Sequence, residues 1–198
     1  HTWASINFNN YSPCGLTTTG VAYCWGYDGD NQLGGSSLSN GTPVSGGHTW
    51  ASINSGYQHS CGMTTAGEAY CWGDNVGGAL GDGTTTDSST PVLVSGGLTW
   101  ASISSGMFHT CGVTTAGEAY CWGRNNHGQL GNGTSTDEDV ANPVPVLVNG
   151  GHTWASISGS CGVTTGGEAY CWGSNANGRR GDGTTTSSYV PTKVGGNW

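Results

Sequence analysis

Eight cysteines are the residues of this chain best placed to do chemistry, and they fall in four pairs, each ten positions apart. The pairs are Cys14 and Cys24, Cys61 and Cys71, Cys111 and Cys121, Cys161 and Cys171. Such thiols either bind metal or oxidise to disulfides. Zinc takes closely spaced cysteine knuckles, which are absent, and the nearby His59 and His109 have no counterparts beside the first and last pairs. Oxidation asks for two Cβ atoms ~3.5–4.5 Å apart, a distance that residues facing each other on antiparallel strands approach. In "SCGMTTAGEAYCWG" (60–73) a turn at "TAGE" pairs Met63 with Ala69 and sets Cys61 opposite Cys71. Repeat symmetry selects the four within-repeat bonds Cys14–Cys24, Cys61–Cys71, Cys111–Cys121 and Cys161–Cys171 from the ~105 connectivities that eight cysteines allow. Each closed loop contributes roughly 3 kcal/mol in the chain-entropy account. Disulfides at this density belong to an oxidising compartment, so the protein is expected to be extracellular or at a cell surface.

Other candidate chemistry is sparse. His1, His48 and His152 sit in "HTW", which becomes "LTW" at Leu98, and His127 stands alone. His59 and His109 recur at matching positions and are expected to make structural hydrogen bonds. No nucleophile elbow, zinc-protease helix or phosphate-cradling loop is present, so the chain is read as no enzyme, with neither metal nor cofactor. "YDGDNQLGG" (27–35) and "GDGTTTD" (81–87) offer oxygens to calcium but lack the ladder of an EF-hand loop, and are read as turns with solvated carboxylates. Asn10, Asn40 and Asn132 head N-glycan acceptor triplets, and the Thr/Ser-rich loops at 84–90 and 184–188 could carry O-glycans.

What positions the cysteines is a repeat. "HTW" or "LTW" puts Trp at 3, 50, 100 and 154, and "CWG" puts Trp25, Trp72, Trp122 and Trp172 behind the second cysteine of each pair. Four units follow, approximately 1–47, 48–97, 98–151 and 152–195, with 196–198 ("GNW" up to Trp198) echoing the start of another. The chain opens on His1 without Met and ends in that echo, so it reads as cut in mid-period. Within the second unit "WASI" (50–53), the two arms of the cysteine hairpin and "PVLV" (91–94) are short strands. Four strands per ~50-residue unit, each unit too small to bury a face alone, argue for an all-β fold of β-propeller-type blades with one disulfide per blade. A β-sandwich would not require such self-similarity. The third unit carries four extra residues in "TDEDVANPVP" (136–145), where Asp137, Glu138 and Asp139 could form a binding loop.

Composition agrees. Glycine supplies 38 of 198 residues and charged residues only 8%, so helix formers are scarce. Twelve acidic residues against four basic ones (Arg124, Arg179, Arg180, Lys193) leave a charge of −8, and no basic run along the chain could neutralise a nucleic-acid backbone. No apolar stretch approaches the ~20 residues of a membrane-spanning helix.

The stretch "ASISSGMFHTCGVTTAGEAYCWGRNNHGQLGNGTSTD" (101–137) resembles the regulator of chromosome condensation repeat, whose pattern runs G-x-x-H, L-T-x-x-G-x-V, W-G, N-x-x-G-Q-L-G-x-G. The likeness extends over all four units and is most specific in the second and third, above all to cysteine-bearing bacterial members. It implies a propeller of four-stranded blades, most often seven to a ring. Departures fall at the ends. The first unit has Asn9 and Ser12 where the family has Gly and His, the fourth lacks four residues there ("SISGSCGV"), and "GQLG" becomes "GRRG" (178–181). The family's exchange-factor and light-sensing activities clash with the acidic charge and the absent tryptophan motif, whereas its secreted inhibitor members show the fold serving as a rigid binding face. Open sheet edges at the end units recruit strands, so the expected role is a self-assembling, head-to-tail structural protein whose partner is another copy. The alternative is a secreted binding module for a carbohydrate or protein ligand. Peptide mapping of the native protein by non-reducing mass spectrometry is expected to find no free thiol and only within-repeat bridges; a bridge between repeats would contradict the hairpin register.

Overall fold

The computed structural model describes residues 1–8, 12–35, 41–137 and 140–195. Asn9, Asn10, Asn40, Glu138, Asp139 and Trp198 lie outside the described residues. Four sheets of four antiparallel strands follow one another along the chain. The first holds β1 (Trp3–Asn7), β2 (Cys14–Thr17), β3 (Ala22–Cys24) and β4 (Thr42–Pro43). The second holds β5 (Trp50–Ser55), β6 (His59–Thr64), β7 (Ala69–Gly73) and β8 (Ser88–Leu93). The third holds β9 (Trp100–Ser105), β10 (His109–Thr114), β11 (Ala119–Gly123) and β12 (Val146–Leu147). The fourth holds β13 (Trp154–Ser158), β14 (Cys161–Thr164), β15 (Ala169–Gly173) and β16 (Ser188–Lys193). Strand order in each sheet is sequence order, and β9 touches both β5 and β13, so the first strands line the inner rim of the arc.

The hairpin between the second and third strands sets the register. Thr64 N donates to Glu68 O at 2.9 Å and Gly67 takes φ +81°, a left-handed turn that glycine adopts freely. Counting back by alternation makes Cys61 and Cys71 a pair without ladder hydrogen bonds, where side chains approach closest. Their Cα atoms lie 4.0 Å apart and the disulfide joins them; Cys14–Cys24, Cys111–Cys121 and Cys161–Cys171 repeat the arrangement at 4.1, 4.0 and 4.0 Å.

The inner strand departs from plain alternation. A register shift between Trp50 and Ser52, repeated in the other three blades, marks a β-bulge at Ala51. Trp50 and Ile53 would otherwise face opposite sides; the extra residue turns both inward, and they are 2% and 1% exposed. The Trp50 ring then lies over Gly62, where a Cβ would come within 2.6 Å of both the ring and Ile53 Cδ1. That closeness explains glycine at 15, 62, 112 and 162, each beneath its own inner-strand tryptophan.

Each blade is too thin to hold its own core, and the apolar side chains gather between blades. The Cys14–Cys24 bridge, Leu16 and Leu33 pack against Trp50, Ile53 and Trp72 of the second blade. Cys61–Cys71 and Leu80 meet Trp100, Ile103 and Trp122, and Cys111–Cys121 and Leu130 meet Trp154, Ile157 and Trp172. At each of these three boundaries a trailing face of disulfide and leucine meets a leading face of tryptophan.

The outer strands vary. Expected at "PVLV" (91–94), the fourth strand instead spans Ser88–Leu93, and Val94 leaves it to be buried. In the third blade, as in the first, the outer strand has two residues, and Asn142 and Pro143 of the insertion reach the second blade: Asn142 N donates to Gly77 O and Pro143 O accepts from Gly83 N. Substituting Gly62→Val is expected to cost about 1–3 kcal/mol of unfolding free energy through overpacking against Trp50 and Ile53, measured by urea denaturation with the disulfides intact.

Candidate functional site

Successive blades are joined by a clasp that recurs three times. After "CWG" the chain forms a glycine-rich loop whose tip enters the next blade. Asn75, completely buried, holds the loop: its Oδ1 accepts from Leu80 N at 2.9 Å and its Nδ2 donates to Thr84 O and Thr86 O. Asn125 and Asn175 repeat the role toward Leu130 N and Arg180 N, and Asp28 Oδ1 takes it toward Leu33 N. These residues stand three positions after Trp72, Trp122, Trp172 and Trp25. That fixed offset is the signal by which the sequence reading could have found them.

The loop aims one carbonyl at the next blade's tryptophan. Gln32 O accepts from Trp72 Nε1 at 2.9 Å and from Ser60 Oγ at 3.0 Å. Ala79 O accepts from Trp122 Nε1 and Thr110 Oγ1, both at 2.9 Å. Gln129 O accepts from Trp172 Nε1 at 2.8 Å and Ser160 Oγ at 3.2 Å. Two donors satisfy both lone pairs of a buried carbonyl, which would otherwise cost ~1–3 kcal/mol.

The two predicted histidines extend the clasp. His59 Nε2 lies 2.9 Å from Thr110 Oγ1 across the blade boundary. The threonine hydroxyl has one proton and gives it to Ala79 O, so His59 Nε2 carries the hydrogen and donates. Burial, with His109 adding a smaller push, lowers the His59 pKa from 6.5 to about 3, and burial lowers that of His109 to about 4. Both rings are neutral at neutral pH. His109 Nε2 lies 3.5 Å from Ser160 Oγ, a looser version of the same contact.

The remaining predicted residues go elsewhere. His1, His48 and His152 lie against Tyr23, Tyr70 and Tyr170 with ring centroids 4.6, 4.2 and 4.2 Å apart. Asp82 Oδ1 accepts from Thr84 N and Thr84 Oγ1 within its own turn, and Asn132 Oδ1 does the same toward Thr134. Asp137 is exposed, and its carbonyl accepts from Val140 N at 3.1 Å. Among the described residues no three histidine, cysteine or acidic side chains gather as a metal site, and no helix is long and apolar enough to cross a membrane.

The family model described as regulator of chromosome condensation (RCC1) repeat matches residues 50–78, 100–129 and 156–179, and a second model of the same description matches 66–113 and 116–165. The chain belongs to the regulator of chromosome condensation repeat family. Prp20p from Saccharomyces cerevisiae superposes with a TM-score of 0.85 at 21% identity, over 98% of this chain and 51% of that one. Human WBSCR16 gives a TM-score of 0.84 at 18% identity, over 96% and 51%. The ectodomain of the receptor kinase CR4 from Physcomitrella patens gives 0.56 at 23% identity, over 86% and 39%. At these identities the likeness is one of fold, and this repeat protein spans about half the length of Prp20p and WBSCR16. Comparison with curated protein sequences gives no match.

The depressed histidine pKa fixes a pH dependence. Below pH 6.5 the unfolded chain takes up a proton that folded His59 refuses until about pH 3. Stability is therefore complete above 6.5 and falls through that window, with a slope approaching ~1.4 kcal/mol per pH unit from this group. His59→Gln, which keeps a donor toward Thr110, is expected to lose this share of the acid sensitivity, read as the difference between wild-type and variant denaturation curves at stepped pH.

Proposed function

We propose that the chain is a non-enzymatic, extracellular structural repeat protein that associates head-to-tail, the trailing face of one copy's last blade receiving the leading face of the next copy's first. The observation that supports it is a clasp left half-made at each end, in complementary ways. Trp72, Trp122 and Trp172 are at most 2% exposed, whereas Trp25 is half-buried and its Nε1 has no acceptor among the described residues. Trp3 and Ile6 are 40% and 58% exposed where Trp50 and Ile53 are 2% and 1%. At the other end Cys161 is half-buried where Cys61 and Cys111 are fully covered, and Arg179 occupies the position from which Gln32, Ala79 and Gln129 offer their carbonyls. The first blade offers one donor, since Pro13 stands where Ser60, Thr110 and Ser160 stand. Joining the faces would extend an interface the chain already makes three times. A head-to-tail contact that does not close on itself grows into a filament or layer.

The second reading is a secreted propeller that binds a protein or carbohydrate ligand. It draws on Prp20p, whose structure was described together with its binding properties to Gsp1p and histones, and on the complex of Kap60 with yeast Prp20. Four disulfides favour an oxidising, extracellular setting for either role.

Negative-stain microscopy and sedimentation of the native protein decide between them. Head-to-tail association predicts extended, polydisperse particles that Ile6→Glu and Trp25→Ala reduce to single copies without loss of the disulfides. A wild-type protein that sediments as a single copy at all concentrations overturns assembly and leaves the binding module.

A further inference from the structure

We propose that the Cys161–Cys171 bridge is a redox site, opened reversibly by a small-molecule thiol that reaches it through the cavity at the junction of the third and fourth blades, with Arg180 assisting the departure of the sulfur. The site holds whether or not copies of the chain associate. The other three bridges are sealed: Cys14, Cys24, Cys61, Cys71, Cys111 and Cys121 are at most 1% exposed. In the fourth blade Cys171 is 7% exposed and Cys161 is half-buried. Both sulfur-bearing residues line a cavity of about 510 Å³, within the range of small-ligand sites. A disulfide that reagents can reach is the labile kind, whereas a buried one is inert.

The residue at the fourth bridge departs from the repeat in the same direction. In the first three blades the position is leucine, and Leu33, Leu80 and Leu130 each share an apolar cluster with both cysteines of their own blade. In the fourth blade it is Arg180, which lines the cavity with Cys161 and Cys171. Arg180 is 5% exposed and pairs through Nη2 with Asp182, while its Nε and Nη1 are buried without a hydrogen-bond partner. Those two nitrogens do not share an edge of the guanidinium, and either alone suffices here. A sulfur that gains negative charge as the S–S bond breaks becomes an acceptor, and a buried donor left unmet is costly. Apolar surroundings raise a thiol's pKa and a neighbouring cation lowers it, and a thiol of lower pKa leaves faster.

The exchange balances with the thiol as its reductant. A thiolate attacks Cys161 Sγ, the sulfur of the more exposed residue; a new S–S bond joins it to Cys161, the bond to Cys171 breaks, and the electron pair leaves on Cys171 Sγ. A second thiolate then attacks the sulfur of the first, which forms the small disulfide and frees Cys161 as thiolate. Both cysteines take up the protons that the two thiols gave to solvent. Two thiols are oxidised to one disulfide, the bridge is reduced to two thiols, and β14 is no longer tied to β15. Excess small disulfide runs the same steps backward.

The test holds the native protein in mercaptoethanol without denaturant, alkylates samples at intervals and maps the labelled cysteines by mass spectrometry. Wild type is compared with Ile6→Glu, whose fourth blade stays uncovered even where wild-type copies join. In Ile6→Glu, Cys161 and Cys171 are expected to be labelled about a hundredfold or more faster than the other cysteines, whose exposure waits on opening of the blades. Arg180→Leu, which installs the residue of the sister blades, is expected to slow that labelling about tenfold. Equal rates for all four bridges, or a rate unchanged by Arg180→Leu, overturns the proposal. Rapid labelling of Cys161 and Cys171 in Ile6→Glu and wild type alike overturns assembly alone, since a seated copy would cover the bridge; slow labelling in both overturns the redox site alone.

Discussion

One carbonyl at each blade boundary holds this fold together. A loop from each of the first three blades delivers Gln32 O, Ala79 O or Gln129 O to the indole of the next, and a serine or threonine hydroxyl closes on the same atom. The buried carbonyl cannot lose its donors without a large penalty, so the blades are registered to one another by hydrogen bonds of fixed direction rather than by apolar contact alone. Everything else serves that delivery. Asn75 and its counterparts hold the loop, the glycine beneath each inner tryptophan lets the ring settle, and the disulfide ties the hairpin's two strands where the next blade packs.

The division of labour between faces follows. Tryptophan on the leading side brings both apolar area and one donor; the disulfide and leucine on the trailing side bring apolar area without polar atoms to satisfy. Such faces fit only in one order, which gives the array a direction. The proposed association of whole chains uses that direction.

Much of this was legible beforehand. The Cys61–Cys71 hairpin follows from a two-residue period and a glycine turn, and the structure has Met63 opposite Ala69 and one disulfide in every blade. The alternation of "WASI", by contrast, misled about facing, because a bulge at Ala51 sets Trp50 and Ile53 on the same side. The insertion offered Asp137, Glu138 and Asp139 as a binding loop, and two of its later residues, Asn142 and Pro143, are bonded to the second blade. Asn75, Asn125 and Asn175 were visible as a constant offset from tryptophan, and Asn125 opens the N-x-x-G-Q-L-G run, but that pattern does not say what the side chain holds.

The sequence by itself determined the all-β blades, their number and the sulfur pairing, because those depend on neighbours within ten or twenty residues and on a repeat that writes them four times. Only the tertiary structure decided what lies between blades. A carbonyl about forty residues from the indole it receives, a histidine reaching the next blade's threonine, and Arg124 lining one cavity with the distant Arg179 and Arg180 depend on how sheets rotate against each other, which no local spacing encodes.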